Sequence, residues 1–464
     1  MNYLLILMPF LVLIVVNLLP KGRVAFWLGL LLFLAQVAAI LVLFFNQSHL
    51  IGGRLNALLG FNLALDKTSL ALLLSAGLVG ATALSAGWTL IGKDDQRLNF
   101  LSLLLISLTG INGISLTTDL FSLYVFIEVV AVTSFILIAM FKEPGALEGA
   151  FKYLMMSVVA SALMLAAISF FLLAAGGTSF ALVRQAVALH GSFMPQAALL
   201  LFLCGLFIKG GLVPFHGWLP DAYMSAPAPV SIFLAGVVTK ASGIFTLIRL
   251  IRVVGLAPQL TDVLLFIGAF SIVSGALAAL GQKDMKRMLA YSSISQMGYI
   301  VASLATGTTL GVTAALFHFF NHAVFKSQLF VNAAAVETQT GTRDMDKLGG
   351  LAEKMPVTGA TAAIASLSTA GIPPLSGFWS KLLIIVALWL TGHYVYAVIA
   401  LLASILTLAY FLSMQRRVFF GKLLIGLENV REGAFGLLAP AVILSLITIG
   451  VGLVFPLFIR MLLK

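Results

Sequence analysis

The chain has 464 residues, 61% of them hydrophobic and only 9% charged, with a mean hydropathy of +1.12. Soluble domains are about 45–50% apolar and about 25% charged, so a water-soluble fold could neither hide this apolar surface nor cover its outside. A soluble enzyme, a nucleic-acid module and a disordered protein are excluded. The formal charge of +11 fits an excess of Lys and Arg in the loops on one side of a membrane. The single cysteine, Cys204, excludes an internal disulfide and any multi-cysteine zinc or iron–sulfur site.

A membrane-crossing helix needs about 20 apolar residues. Apolar runs begin near Tyr3, Ala25, Lys67, Asn99, Leu120, Ala150, Ala197, Val230, Thr261, Tyr291, Leu310, Thr358, Tyr394 and Ala434, which predicts an all-α membrane protein of about fourteen helices. The first run ends in Pro20-Lys21-Gly22-Arg23, with positive charge after the apolar stretch and no small-residue cleavage site. It reads as an uncleaved first span. With the 20–24 loop cytoplasmic, alternate loops on that side hold sixteen cations, among them Lys21, Arg23, Lys283, Lys286 and Arg343. The other side holds seven: Arg54, Lys67, Arg184, Arg249, Arg252, Arg460 and Lys464. The asymmetry predicts both termini on the outer face.

Four cations remain within spans: Lys209, Lys240, Lys326 and Lys381. Of the 16 carboxylates, Glu128 alone sits near the middle of a span. Each such charge costs about 2.5–3.5 kcal/mol on insertion scales unless it pairs, meets water or is neutralised. Burial makes both lysine and glutamate able to exchange protons near neutral pH, while an opposite charge pushes each back toward its ionised form. Moving a charge nearby then switches the pair. The blander reading is snorkelling or static ion pairing, which suits Lys381 best; Glu128 is too deep to snorkel.

His318, His322 and Lys326 follow one another at i, i+4 and i+8, on one face of a helix. Histidine has an unperturbed pKa of about 6.5, suited to relaying protons. Two histidines at this spacing also suit a metal, but no third ligand of the H-E-x-x-H kind accompanies them. A purely structural role is the other alternative.

Residues 211–218 (Gly211-Leu212-Val213-Pro214-Phe215-His216-Gly217-Trp218) and 371–378 (Gly371-Ile372-Pro373-Pro374-Leu375-Ser376-Gly377-Phe378) share one pattern, 160 residues apart. Pro214 and Pro373-Pro374 interrupt a helix, and Gly217 and Gly377 tolerate unwound geometry. Matching Gly/Pro breaks point to inverted repeats around a transport site. Five helices per repeat, an odd number, inverts the second relative to the first. The segmentation expected is an N-terminal three-helix segment (1–97), a first repeat (98–255), a second repeat (256–422) and a C-terminal helix (423–464).

These stretches, together with Lys209 to Tyr223, Ala226 to Ser231, Val238-Thr239-Lys240, Lys286 to Tyr299, His318 to Lys326 and Gly371 to Lys381, resemble the antiporter-like subunits shared by respiratory complex I, group 4 membrane-bound hydrogenases and Mrp-type cation/proton antiporters. The resemblance covers roughly residues 65–420. It implies fourteen helices, two inverted five-helix repeats and discontinuous seventh and twelfth helices. It also implies roles: Glu128 pairs with Lys209, Lys240 passes protons toward the centre, His318 and His322 connect, and Lys381 is the terminal lysine. Lys326 lies within the matching motif with a less defined part. These groups are expected to form a hydrated midplane line.

No cofactor is expected in this chain, which has no Walker A sequence, no Rossmann fingerprint and no cysteine cluster. The expected partners are other membrane subunits, including a second antiporter-like subunit, peripheral redox subunits and lipid, with no nucleic acid. The chain ends after one last apolar span, which is expected to leave no room for the lateral helix of the largest complex I subunit, and the 337–356 segment and the Gly371 to Lys381 stretch resemble most the D-type Mrp subunits and their hydrogenase counterparts. The leading expectation is a proton-translocating subunit of a redox-driven pump in a prokaryotic plasma membrane. The alternatives are a subunit of a secondary Na+/H+ antiporter and a scaffold that no longer moves ions.

Overall fold

The computed structural model describes residues 2–18, 22–45, 63–188 and 193–455. Lys21, Arg54, Arg460 and Lys464, which enter the loop charge balance, lie outside the described residues. Among the described residues the chain is helical, with three isolated β-bridges as its extended pairing.

In chain order the helices are α1 (Asn2–Leu18), α2 (Arg23–Phe45), α3 (Lys67–Leu90), α4 (Asp94–Leu116), α5 (Leu120–Ile138) and α6 (Pro144–Ala175). A short α7 (Phe180–Ala188) precedes α8 (Phe193–Lys209) and α9 (Trp218–Ser225). Then come α10 (Ala228–Val254), α11 (Pro258–Leu280), α12 (Met285–Leu304) and α13 (Thr309–Thr340). The chain continues with α14 (Pro356–Ala370), α15 (Ser376–Leu390), α16 (Tyr394–Val418) and α17 (Phe435–Leu453). Among the described residues, nine helices are long and apolar enough to cross a membrane. Three begin five or six residues before their apolar runs: α4 at Asp94 rather than Asn99, α6 at Pro144 rather than Ala150, and α12 at Met285 rather than Tyr291. Their first turns are polar or proline-led, so hydropathy undercounts them.

Local chemistry fixes these ends. Asp119 and Asp284 accept from the backbone N–H groups of Ser122 and Arg287, both at 2.8 Å, and so cap α5 and α12. The two 32-residue helices α6 and α13 each end on a left-handed glycine, Gly176 and Gly341. The proline motifs interrupt helices as their composition requires: α8 stops at Lys209, one residue before the 210–217 break, and α14 stops at Ala370, one residue before Gly371. Gly211 and Gly371 occupy positive φ, 63° and 91°, at the same place in each motif. The freed backbone is satisfied by protein, as when the Val213 N–H donates to Ser271 Oγ at 3.1 Å.

The chain divides into two compact units. One comprises the described residues of 1–84, 91–211 and 237–256. In it α4 packs on α1 and α5, and α6 packs on α8. The segment of α10 in this unit contains a π-helical stretch, Lys240–Phe245, which lies against α8. The other unit comprises the described residues of 85–90, 212–236 and 257–464, in which α13 packs on α12, α14, α15 and α17.

Two cations assigned to loops by charge counting are buried. Arg249 in α10 is 6% exposed and donates to the carbonyls of Ile114 and Ser115 at the end of α4. Lys286 in α12 is 2% exposed, donates to Ala226 O at 3.0 Å and lies 3.5 Å from Glu337. Lys286 lies in the first turn of its helix and Arg249 in the turn before the last of its own, and from both places a long side chain turns inward onto carbonyls. Nearby, in the loop after α13, hydrogen bonds from Arg417 and then Lys283 hold the Asp346 carboxyl below its ordinary range.

A Cβ added at Gly243 would lie 2.3 Å from the Gly210 Cα and N, both backbone atoms. The Gly243→Ala substitution must therefore push α10 off the end of α8, and we expect it to lower stability by about 1–3 kcal/mol or more. Thermal unfolding of the detergent-solubilised protein measures this; an unchanged midpoint would contradict the packing described.

Candidate functional site

In the first unit the site is built where α5, α6 and α8 meet. The buried side of α6 carries a stripe that includes Tyr153, Ser157, Ala160, Ser161 and Met164. Gly205 of α8 packs on that stripe so closely that a Cβ would lie 2.4 Å from Met164 Cγ and 3.0 Å from Ala160 O. One turn further along α8, Lys209 therefore reaches the two serines. Its Nζ donates to Ser157 Oγ at 2.7 Å, to Ser161 Oγ at 3.2 Å and to Glu128 Oε1 at 3.0 Å. Ser161 in turn donates to Glu128 Oε1 at 2.5 Å. All three ammonium protons are thus directed at oxygen, which is what a buried charge requires. Lys209 also ends its helix, where the backbone dipole favours a cation.

The partners of this pair are unequally covered: the Lys209 side chain is 1% exposed and that of Glu128 is 30% exposed. Glu128 shares its face of α5 with Phe121, Val125, Val132 and Ile136, all exposed. A carboxylate thus interrupts an outward apolar stripe. Lys240 is fully buried at the start of the π-helical turn of α10. That turn is held close to Lys209 through the Gly210–Gly243 backbone approach.

In the second unit α13 carries His318, His322 and Lys326, all 0% exposed. The imidazoles stack with centroids 6.3 Å apart, as spacing of four residues on one helix dictates. His318 Nδ1 is 2.9 Å from Ser380 Oγ, and its ring lies 6.0 Å from that of Tyr299. Lys381 Nζ sits over the same Tyr299 ring, 4.6 Å from its centroid, and reaches Ala370 O at 3.5 Å. Tyr299 is anchored by its hydroxyl to Ala400 O at 2.7 Å. At the other end of the row, Lys326 Nζ donates to Leu289 O at 3.0 Å and to Ser292 Oγ, with Phe411 at 5.8 Å. Lys381, Tyr299, His318, His322 and Lys326 therefore follow one another in a buried succession. Among the described residues no group of three or more His, Cys, Asp or Glu gathers in reach of one ion.

The breaks supply geometry to these rows. Pro214 lies within the 210–217 break and Gly217 precedes the first residue of α9; Pro373 and Pro374 fill the turn before α15. Gly377 lies so close to α14 that a Cβ there would meet Ser368 O at 1.9 Å, which fixes the start of the helix bearing Ser380 and Lys381. Ser157, Ser161, Ser292, Ser380 and Tyr299 complete the site and carry no charge, so a search for costly residues passes over them. The i, i+4 spacing of Ser157 and Ser161 was the available signal.

These features define a polytopic membrane protein with paired and stacked ionisable groups in its interior. Residues 117–407 match the family described as NADH:quinone oxidoreductase/Mrp antiporter, TM, and the chain belongs to that family. It is 36% identical over 359 residues to the N subunit of the NADH-quinone oxidoreductase of Desulforudis audaxviator, covering 76% of this chain and 71% of that protein. It is 33% identical over 403 residues to the D subunit of the Na(+)/H(+) antiporter of Alkalihalophilus pseudofirmus, covering 86% and 82%. Its fold is that of a chain in the Mrp complex from a Dietzia species, with a TM-score of 0.90 over 100% of this chain and 96% of that one, at 24% identity.

The packing of α6 on α8 can be tested apart from transport. Gly205→Ala must spread the helices and lengthen the Lys209–serine bonds, and we expect a loss of about 1–3 kcal/mol in stability. The cost of Gly205→Ala should be smaller in a Met164→Ala background, which lacks the nearest obstructing atom. An equal cost in both backgrounds, read from thermal unfolding, would contradict this geometry.

Proposed function

We propose that the chain is the proton-translocating, antiporter-like membrane subunit of a multi-subunit, redox-driven ion pump. Protons move by way of Glu128, Lys209, Lys240, His318, His322, Lys326 and Lys381. The observation that carries this reading is the Lys209–Glu128 ion pair, a buried ammonium held by a carboxylate that is itself open to the flank of its unit. With the pair closed, the carboxylate and the two serines stabilise the ammonium. When Glu128 is drawn toward a charge outside the unit, the desolvated ammonium loses its counter-charge and passes its proton on. The row from Lys326 to Lys381 suits the second part of the path, because each member can gain or lose a proton or orient one that passes.

The fine architecture belongs to the same proposal: fourteen crossings, with α8/α9 and α14/α15 as discontinuous helices, in two inverted five-helix repeats. Helices α4, α5 and α6 have 23, 19 and 32 residues, and α11, α12 and α13 have 23, 20 and 32, which supports the repeats. The capping residues Asp119 and Asp284, and the terminal glycines Gly176 and Gly341, are each 165 residues apart. The segmentation 1–97, 98–255, 256–422 and 423–464 and termini on the outer face complete the proposal. The exposed stripe around Glu128 is best covered by another membrane subunit, because a carboxylate in lipid is costly.

A second reading, a subunit of a secondary Na+/H+ antiporter, fits the same relatives, which include both oxidoreductase and antiporter subunits. Purification in mild detergent from the native membrane separates the two. Iron, nickel or flavin with the co-purifying subunits indicates the redox pump, whereas small membrane subunits alone indicate the antiporter. The role assignment is tested by Lys209→Ala and Glu128→Gln in assembled complexes, where driven proton movement should fall at least about tenfold, equivalent to about 1.4 kcal/mol of barrier. Normal pumping by either variant would defeat it.

A further inference from the structure

The Ser161 hydroxyl has one proton and two acceptors within reach. It lies 2.5 Å from Glu128 Oε1 and 2.7 Å from the carbonyl of Ser157, one turn earlier on α6. It can donate to one of them at a time. Its oxygen meanwhile accepts from Lys209 Nζ at 3.2 Å, so it touches both members of the ion pair. It is 8% exposed, with Ser157 at 5%.

We propose that Ser161 is a two-position hydroxyl switch that sets whether the Glu128–Lys209 ion pair is open or closed. In the first position the hydroxyl donates to Glu128. Oε1 then receives both Ser161 and Lys209, and the carboxylate is held inward by two charge-assisted bonds. In the second position the hydroxyl turns back to the Ser157 carbonyl, the ordinary fallback of a serine inside a helix. Glu128 then keeps Lys209 alone and is free to swing toward its exposed side. Lys209 retains both serine oxygens throughout, so opening the pair does not strip the ammonium of every partner. The proton of Ser161 stays on Ser161; the switch is a rotation that no covalent bond has to break to complete. Ser161 is accordingly a positioning residue.

This inference rests on reading Glu128–Lys209 as a pair that opens and closes during transport. It is tested in membrane vesicles carrying the intact complex, by comparing driven proton uptake in Ser161→Ala, Ser161→Thr and Glu128→Gln. Ser161→Ala should slow uptake about tenfold, the worth of one hydrogen bond to a charged group. Ser161→Thr keeps a hydroxyl able to bond the carbonyl four residues back and should recover uptake to near the parent level. The infrared carboxylate band of Glu128, identified by its loss in Glu128→Gln, should shift in Ser161→Ala and return in Ser161→Thr. Parent-like uptake in Ser161→Ala alongside failure of Glu128→Gln overturns the switch and leaves the ion-pair reading intact. Equal impairment in the Ala and Thr variants makes the effect one of packing and also overturns it. Parent-like uptake in Glu128→Gln removes the reading beneath the proposal.

Discussion

An ammonium group taken out of water must be surrounded by oxygen, and the placing of Lys209 answers that demand. Its three protons reach Ser157, Ser161 and Glu128. Breaking a buried pair of this kind by removing one partner costs about 3–5 kcal/mol, because the other charge is left uncompensated. The close approach at Gly205 sets the register that brings Lys209 to the serines, and the approach at Gly243 seats the Lys240 turn beside it. The helix interruption that begins at Gly210 ends α8 at Lys209, so that its carbonyl terminus faces the cation. Packing, glycine placement and helix interruption thus serve one electrostatic requirement.

The second unit meets the same requirement with different chemistry. Lys326 is held by a carbonyl and a hydroxyl near an aromatic face, and Lys381 by the face of Tyr299 and a carbonyl. Cation–π contacts of this type contribute about 0.5–2 kcal/mol, less than a good ion pair. A lysine held by dipoles and rings changes its protonation with less rearrangement than one held by a counter-charge. On the proposed reading, the first unit gates by charge and the second conducts.

Much of this was legible in the sequence. Strong apolar runs marked the helices, and the proline motifs marked where α8 and α14 stop. The i, i+4, i+8 spacing of His318, His322 and Lys326 gave a row along one helix face. What hydropathy could not show is where a side chain turns. Lys286, in a first helical turn, and Arg249, a turn inside the end of its helix, were counted with the loops, yet each bends inward onto carbonyls. Nor could composition distinguish the π-helical turn at Lys240, whose Gly243 lies against the backbone of Gly210. The serines that complete the Lys209 site are neutral and small, and they matter only once α6 lies against α8.

The central claim is that buried side chains of this chain change protonation as the complex works. It is tested most directly by nitrogen-15 NMR of lysine-labelled complex, resting and driven, with Lys209, Lys240 and Lys381 assigned by single substitution. On this account at least one of these resonances moves between its ammonium and amine positions when the drive is applied, and Glu128→Gln abolishes the movement of Lys209. Resonances that stay fixed in both states, in a complex shown to be pumping, would contradict it.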